Sequence, residues 1–384
     1  MGKMKILQVV GGLGMGGAEN LVANYCMNFD SDQNEVTLLC VANYHSVYDR
    51  KLQEEGIHVI YLNDIIDRWI KAPGLFQKIP HFILRPFMFH YFIHKLKPDV
   101  IHLHAKLSAY IAMSKPTRNT KLYITIHSDP DVWFDSKRGK IEEQAIKWLM
   151  KRYRTCVIEL HTEMGDSIKK RLGKEVDLRI LKNGIELNQF RIIDENYKLR
   201  QIYKINLNRK IIGHIGRFVW QKNHIFLIEV FKCFQMIYPD SELWLVGDGV
   251  LRSECEQKLR EYGIFDKTVF WGIRTDIPQL LKMMDLIIFP SVIEGLSITL
   301  IEAQVTETLI LASDQIAGET AISNLIEFKS LDEGALSWAQ KAKEMIEQQR
   351  ETVYTNIEEW DIKNVVNEVE MLYRDENRQI ACNR

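Results

Sequence analysis

Two glutamates eight positions apart, Glu294 and Glu302, stand in the run Phe289-Pro290-Ser291-Val292-Ile293-Glu294-Gly295-Leu296-Ser297-Ile298-Thr299-Leu300-Ile301-Glu302-Ala303. The pattern predicts Glu294 in a loop and Glu302 a turn or two into the helix that follows. Carboxylates so placed can each accept a pair of hydroxyl hydrogen bonds, one pair from a sugar and the other from a ribose. Glu302 has apolar neighbours, where an ionised carboxylate is costly unless something pairs with it. Taken alone, two surface glutamates account for this run as well.

Upstream lies Gly213-His214-Ile215-Gly216-Arg217-Phe218-Val219-Trp220-Gln221-Lys222-Asn223. A strand ends in glycine, and Arg217 and Lys222 then flank a loop before a helix. Two cations at a helix N-terminus suit a diphosphate whose negative charge grows as a leaving group departs. Two further strand-to-glycine turns follow, at Gly247 in Leu245-Val246-Gly247-Asp248-Gly249 and at Gly272 before Arg274. The second would let a flat nucleobase lie against the backbone. Ordinary turn chemistry or packing explains each equally well in isolation.

In the first half, Gly12, Gly14 and Gly17 satisfy G-x-G-x-x-G after an apolar strand, with Gly16 and Glu19 beside them. Such a loop brings backbone N–H groups close to phosphate at a helix N-terminus. A nicotinamide site also needs an acidic residue at the end of the second strand. That strand closes with Leu38-Leu39-Cys40-Val41-Ala42-Asn43, and no carboxylate appears until Asp49. A dehydrogenase is therefore disfavoured. His127, in Tyr123-Ile124-Thr125-Ile126-His127-Ser128-Asp129, is placed at the carboxyl end of a strand, with His102 and His104 at the end of the preceding one. Asp129-Pro130-Asp131 formally matches a D-x-D metal clamp, yet no ligand cluster accompanies it, and it reads as a turn.

These side chains need a scaffold, and the hydrophobic pattern supplies one. Apolar runs at 6–10, 36–41, 58–62, 100–103, 122–126 and 156–160 read as strands of a first unit. Those at 211–215, 243–246, 269–271, 286–289 and 309–311 read as strands of a second. Alternation with helical patterns implies βαβ units and parallel sheets. The expected class is α/β, two Rossmann-like doubly wound domains facing a cleft: residues 1–182, residues 183–357, and a helix within 358–384 that returns to the first domain. The chain has 384 residues, enough for two such cores.

The net charge of -1 hides a basic first half: residues 1–190 hold 27 Lys and Arg against 21 Asp and Glu. That excess suits anionic lipid, a phosphate-bearing acceptor or an uneven solvated surface. No recognition motif supports nucleic acid. The 6 cysteines are scattered without metal spacing, which suits a reducing compartment. The glycines after Ile6 break any signal-peptide core, and no apolar stretch is long enough to span a bilayer. The expectation is a soluble cytoplasmic protein. Residues 69–97 interleave aromatics with Lys71, Lys78, Arg85 and Lys95, either a basic amphipathic segment for the inner face of the cell membrane or a domain-closing helix with core aromatics.

In this order, the G-G-A-E loop, G-R-x-x-x-x-K-N, L-V-G-D-G and P-S-x-x-E-G-x-x-x-x-x-x-E-A resemble the retaining GT-B glycosyltransferases of family 4. The likeness is strongest over 209–320 and to bacterial enzymes that build exopolysaccharide, capsule or O-antigen. It implies a nucleotide diphosphate sugar, UDP by default, held by the second domain, and a saccharide or undecaprenyl-linked acceptor held by the first. Arg217 and Lys222 would hold the diphosphate, Glu302 the ribose and Glu294 the transferred sugar, with Gly216, Gly247, Gly272, Gly295 and Leu296 lining the donor. Gly16 and Gly17 would border the phosphate, and His127 would meet the sugar or acceptor. The resemblance further implies retention of configuration, no bound metal and no cofactor, with the leaving phosphate helping to deprotonate the acceptor. One departure stands out: Thr306-Glu307-Thr308 occupies the place where relatives commonly carry glycine and then proline. A sugar-nucleotide epimerase, or a silent nucleotide-sugar-binding partner of a polysaccharide assembly complex, is the alternative.

Overall fold

A computed structural model describes residues 2–14, 16–70, 78–191, 195–348 and 351–374. Backbone contacts divide the chain into two units, Met1–Gly184 with Glu359–Arg384, and Ile185–Glu358.

The first unit is a parallel sheet of seven strands: β1 (Met4–Val10), β2 (Asn34–Cys40), β3 (His58–Tyr61), β4 (Val100–Leu103), β5 (Lys121–Thr125), β6 (Thr155–Glu159) and β7 (Asp177–Ile180). Their order is β3-β2-β1-β4-β5-β6-β7. Central strands are covered on both faces, and every residue of β4 and β6 is buried; such strands read as apolar runs in sequence. The helix Ile362–Arg374 lies against this sheet, with Val365, Val366, Val369 and Tyr373 packed among Ile6, Tyr25, Tyr123 and Leu181. Lys121 Nζ and Tyr123 OH donate to the carbonyls of Tyr373 and Leu372 at 2.7 and 2.8 Å.

The second unit has six parallel strands: β8 (Lys210–Ile215), β9 (Ser241–Val246), β10 (Thr268–Gly272), β11 (Leu286–Phe289), β12 (Leu309–Ser313) and β13 (Ile326–Lys329), ordered β10-β9-β8-β11-β12-β13. Its core gathers Phe218, Phe231, Phe234, Leu245 and Trp338.

β7 and β13 were not expected from the sequence. Both are edge strands with charged residues interleaved, DLRI and IEFK. Charge tolerated at a sheet edge interrupts the apolar run in both. Residue 62, expected to close a strand, instead begins the helix Leu62–Trp69.

Of the 69–97 segment, residues 71–77 and the Lys78 side chain lie outside the described residues. The helix Lys78–Leu96 divides its aromatics by face. Phe89 and Ile93 are buried, whereas Phe82, Phe87 and Tyr91 are 77%, 68% and 53% exposed. Among the described residues no helix is long and apolar enough to cross a membrane. Cys26, Cys40, Cys156, Cys233 and Cys255 are free thiols.

Candidate active site

In each sheet the strand order reverses once: between β1 and β4 in the first, between β8 and β11 in the second. Loops leaving adjacent strands in opposite directions open a crevice beyond their carboxyl ends, the usual ligand position in doubly wound sheets.

In the second unit the two loops at that point are Gly216–Asn223 and Pro290–Ser297, and they are tied together. Lys222 Nζ lies 2.6 Å from Glu294 Oε2, and Val292 N donates to Gln221 O at 2.9 Å. The Lys222 ammonium also sits 4.4 Å from the centre of the Phe289 ring, so its charge is held by both a carboxylate and an aromatic face. Glu294 is bridged in turn to Ile316 beyond β12. Arg217, two positions after the β8 strand end, is exposed, and no described residue bonds its guanidinium. The structure thus brings Arg217, Lys222, Glu294, Gly295 and Leu296 to one sheet edge.

The glycines at neighbouring strand ends serve that edge. Gly216 N donates to Val246 O at 2.9 Å, and Gly247 N to Gly272 O at 2.8 Å, lacing β8, β9 and β10 together. Gly247 has φ 126, and a Cβ there would collide with Gly216 O. Gly272, with φ 64, closes β10 and has open space where a Cβ would stand. A flat group could approach its backbone there.

Glu302 is the fifth residue of the helix Ile298–Val305. No hydrogen bond from a described residue reaches its carboxylate, and desolvation pushes its pKa up to about 8. The helix ends in a Schellman arrangement: Thr308 N donates to Ala303 O at 2.9 Å and Glu307 N to Gln304 O at 3.0 Å. Glu307 occupies the left-handed position, at φ 60, that glycine normally takes. The left-handed turn therefore forms here around a glutamate rather than a glycine.

In the first unit, Gly16 caps the helix Gly17–Asn28 at the β1–β4 reversal. The Glu19 side chain folds back over it, so that a methyl group at Gly16 would meet the carboxylate. His127 follows β5 and is half-buried; desolvation lowers its pKa to about 4, leaving the ring neutral at pH 7. Its Nε2 lies 3.1 Å from His104 Nδ1, and His104 Nε2 lies 2.8 Å from Gln8 Oε1. The inner end of this chain reaches Tyr373, to which Gln8 Nε2 donates at 3.0 Å.

The Asp129-Pro130-Asp131 turn proves to be a helix start. Asp129 caps Pro130–Phe134 by accepting from Asp131 N and Val132 N at 2.9 and 3.1 Å. Asp131 pairs with Arg171 at 2.8 Å. Among the described residues no group of three or more His, Cys, Asp or Glu is placed to hold a metal ion. Sequence reasoning missed Gln8 and Tyr373 altogether, because a lone glutamine in a strand and a tyrosine in a distant helix carry no local signal.

Two family models match the chain: Glycosyltransferase Family 4 over residues 15–189 and Glycosyl transferases group 1 over residues 195–347. The Bacillus subtilis (strain 168) protein EpsF, named as a glycosyltransferase, is 26% identical over 88% of this chain and 86% of its own. The Escherichia coli UDP-Gal:alpha-D-GlcNAc-diphosphoundecaprenol alpha-1,3-galactosyltransferase is also 26% identical, over 62% of this chain and 65% of its own. The crystal structure of Anabaena Alr3699/HepE in complex with UDP-glucose superposes with a TM-score of 0.74 at 18% identity, covering 97% of this chain and 100% of that one.

Proposed function

The chain is a glycosyltransferase of bacterial polysaccharide biosynthesis, a Family 4 domain followed by a group 1 domain on the GT-B fold, and from that premise we propose that it moves a sugar from a UDP-sugar to a saccharide carried on a lipid diphosphate, retaining configuration and without a metal. The observation that carries the proposal is the Lys222–Glu294 pair at the reversal of the second sheet. It puts a cation and a carboxylate side by side where a diphosphate and the sugar attached to it would need one of each.

In this reading Arg217 and Lys222 take the diphosphate. Their positive charge interacts most strongly as the glycosidic bond breaks and charge builds on the leaving oxygens. Glu294 exchanges part of its bond to Lys222 for hydroxyls of the transferred sugar and orients an oxocarbenium-like centre. Glu302 accepts the ribose hydroxyls, and a nucleobase lies over Gly272. Gly295 and Leu296 border the sugar, and the backbone at Gly216 and Gly247 borders the phosphates. In the first unit, Gly16 and Gly17 offer backbone N–H groups to a phosphate and His127 offers its ring to a sugar hydroxyl. The leaving phosphate then takes the acceptor proton. The Escherichia coli relative's acceptor, a sugar on diphosphoundecaprenol, supports a lipid-linked acceptor, and the HepE complex supports a UDP-sugar donor. Such an acceptor would place the protein at the cytoplasmic face of the cell membrane.

The test is UDP release from a panel of UDP-sugars with and without an undecaprenyl-diphosphate-linked saccharide. Acceptor-dependent release that disappears in Glu294→Ala is expected. Release into water alone, with an isomerised sugar, would instead identify an epimerase.

A further inference from the structure

Behind His127 the first unit holds a continuous chain of buried polar groups. His127 Nε2 meets His104 Nδ1 at 3.1 Å, and His104 Nε2 meets Gln8 Oε1 at 2.8 Å. Gln8 Nε2 donates to Tyr373 OH at 3.0 Å. Tyr373 OH meets His102 Nδ1 at 2.5 Å, and His102 Nε2 meets Thr125 Oγ1 at 2.7 Å. Gln8, His102, His104, Thr125 and Tyr373 are each at most 4% exposed. The register of three strands brings them together: Gln8 pairs with His102 across β1 and β4, and His102 with Tyr123 across β4 and β5. Tyr373 arrives from the helix Ile362–Arg374.

We propose that Tyr373, Gln8 and His104 are positioning residues that fix which nitrogen of His127 carries its proton, presenting Nδ1 of that ring as a hydrogen-bond acceptor.

The order of donors follows from the Tyr373 end. A phenol O–H is a stronger acid than the N–H of a neutral imidazole, and an imidazole nitrogen is a better acceptor than a phenol oxygen. The 2.5 Å separation between Tyr373 OH and His102 Nδ1 is short for an N–H donor and suits an O–H donor. Tyr373 therefore gives its proton to His102 Nδ1, and its oxygen is left to accept from the Gln8 amide. The Gln8 carbonyl oxygen can only accept, so His104 must donate from Nε2. A neutral His104 then has a lone pair on Nδ1, and the proton in the last bond belongs to His127 Nε2. Burial lowers the pKa of all three histidines and keeps the rings neutral, the state in which each has one donor and one acceptor. Reversing the chain would require turning the Gln8 amide over and making His102 donate to the phenol.

Resting on the reading that His127 meets a sugar hydroxyl, this order gives that hydroxyl an acceptor and disfavours a carboxylate at the same ring nitrogen. It also makes the last described helix part of the site's chemistry, because the phenol that sets the order comes from it.

The experiment uses the full chain labelled with 15N-histidine and read by NMR at neutral pH without donor or acceptor, so it judges the relay independently of the transfer reaction. Expected in the wild type is one slowly exchanging ring proton on His127 Nε2, with a scalar coupling through the hydrogen bond to His104 Nδ1. In Tyr373→Phe and Gln8→Met, each confirmed folded by its melting transition, that proton exchanges about tenfold faster or more, since a break in the chain opens its last bond. Two variants are used so that one remains readable if the other does not fold. A proton found on His104 Nδ1 in the wild type, or exchange unchanged in a folded variant, overturns the proposal. Transfer activity of His127→Ala separately judges whether that ring touches substrate.

Discussion

Lys222 Nζ and Glu294 Oε2 meet at 2.6 Å, joining the loop after β8 to the loop after β11 where those strands lie side by side. The pair is partly buried, with side chains 16% and 20% exposed, so neither charge is fully solvated and each holds the other in place. The contact fixes the orientation of both side chains.

Removing either partner should therefore be costly in a coupled way. Glu294→Ala is expected to lower kcat/KM by roughly tenfold or more, because a contact made in the transition state is worth several kcal/mol. Lys222→Ala should do likewise and leave Glu294 without its cation. The double variant should fall short of the product of the two single losses, as groups in direct contact do. A strictly multiplicative double-mutant cycle would mean that the pair does not act as a unit.

Glu302 gives a pH signature. Its pKa is raised from 4.5 to about 8 by desolvation. A raised folded-state pKa means that the fold favours the neutral acid, so the stability it supports is full below the unfolded value and lost as pH rises from 4.5 through about 8. Glu302→Gln should flatten that decline in a melting-temperature profile. Ribose hydroxyls favour the carboxylate, so UDP-glucose, which has no phosphate group titrating in this range, should bind more tightly as pH rises from neutrality to about 8. The Gln variant should bind it with no such trend.

Glu307 holds a left-handed backbone at φ 60 and contributes only an exposed ion pair to Lys282 at 3.0 Å. The left-handed conformation costs a side-chain-bearing residue about 1–2 kcal/mol, and an exposed pair returns about 0–1 kcal/mol. Glu307→Gly should raise unfolding stability by about 1 kcal/mol on balance, measured by denaturant titration, with activity unchanged. A loss of stability would show that the Schellman turn is not strained.

The outer face of the helix Lys78–Leu96 exposes Phe82, Ile83, Phe87 and Tyr91, and the helix contains no acidic residue. Aromatic and cationic side chains on one face favour an anionic interface. Replacing Phe82, Phe87 and Tyr91 with serine should reduce co-sedimentation with phosphatidylglycerol vesicles while leaving the melting temperature unchanged. Arg85 is a poorer probe, because its guanidinium donates to Asn63 Oδ1 at 3.1 Å and its loss would disturb the unit itself. Equal sedimentation of the two proteins would remove this face from membrane binding.

Much of this was legible in the sequence where burial is complete and local. The run 286–289 coincides with β11 because all four of its residues are buried. Glycine turns and glutamate spacing marked the strand ends of the second unit. β7 and β13 escaped notice because charged residues interrupt their apolar runs. Asp129 read as a turn because a helix of five residues is too short to show a period. The Lys222–Glu294 bond spans 72 positions, and the Gln8–Tyr373 bond spans 365. Neither distance has any expression in local composition; strand order brings the first pair together, and the packing of the helix Ile362–Arg374 on the first sheet the second.

The claim on which the rest depends is that Arg217, Lys222 and Glu294 receive a nucleotide diphosphate sugar. Isothermal titration with UDP and UDP-glucose tests it most directly. The wild type should bind both, and Arg217→Ala and Lys222→Ala should each weaken UDP by about tenfold or more, the loss of a charge-assisted contact of 1.5–3 kcal/mol. Binding of UDP with unchanged affinity in both variants would contradict it.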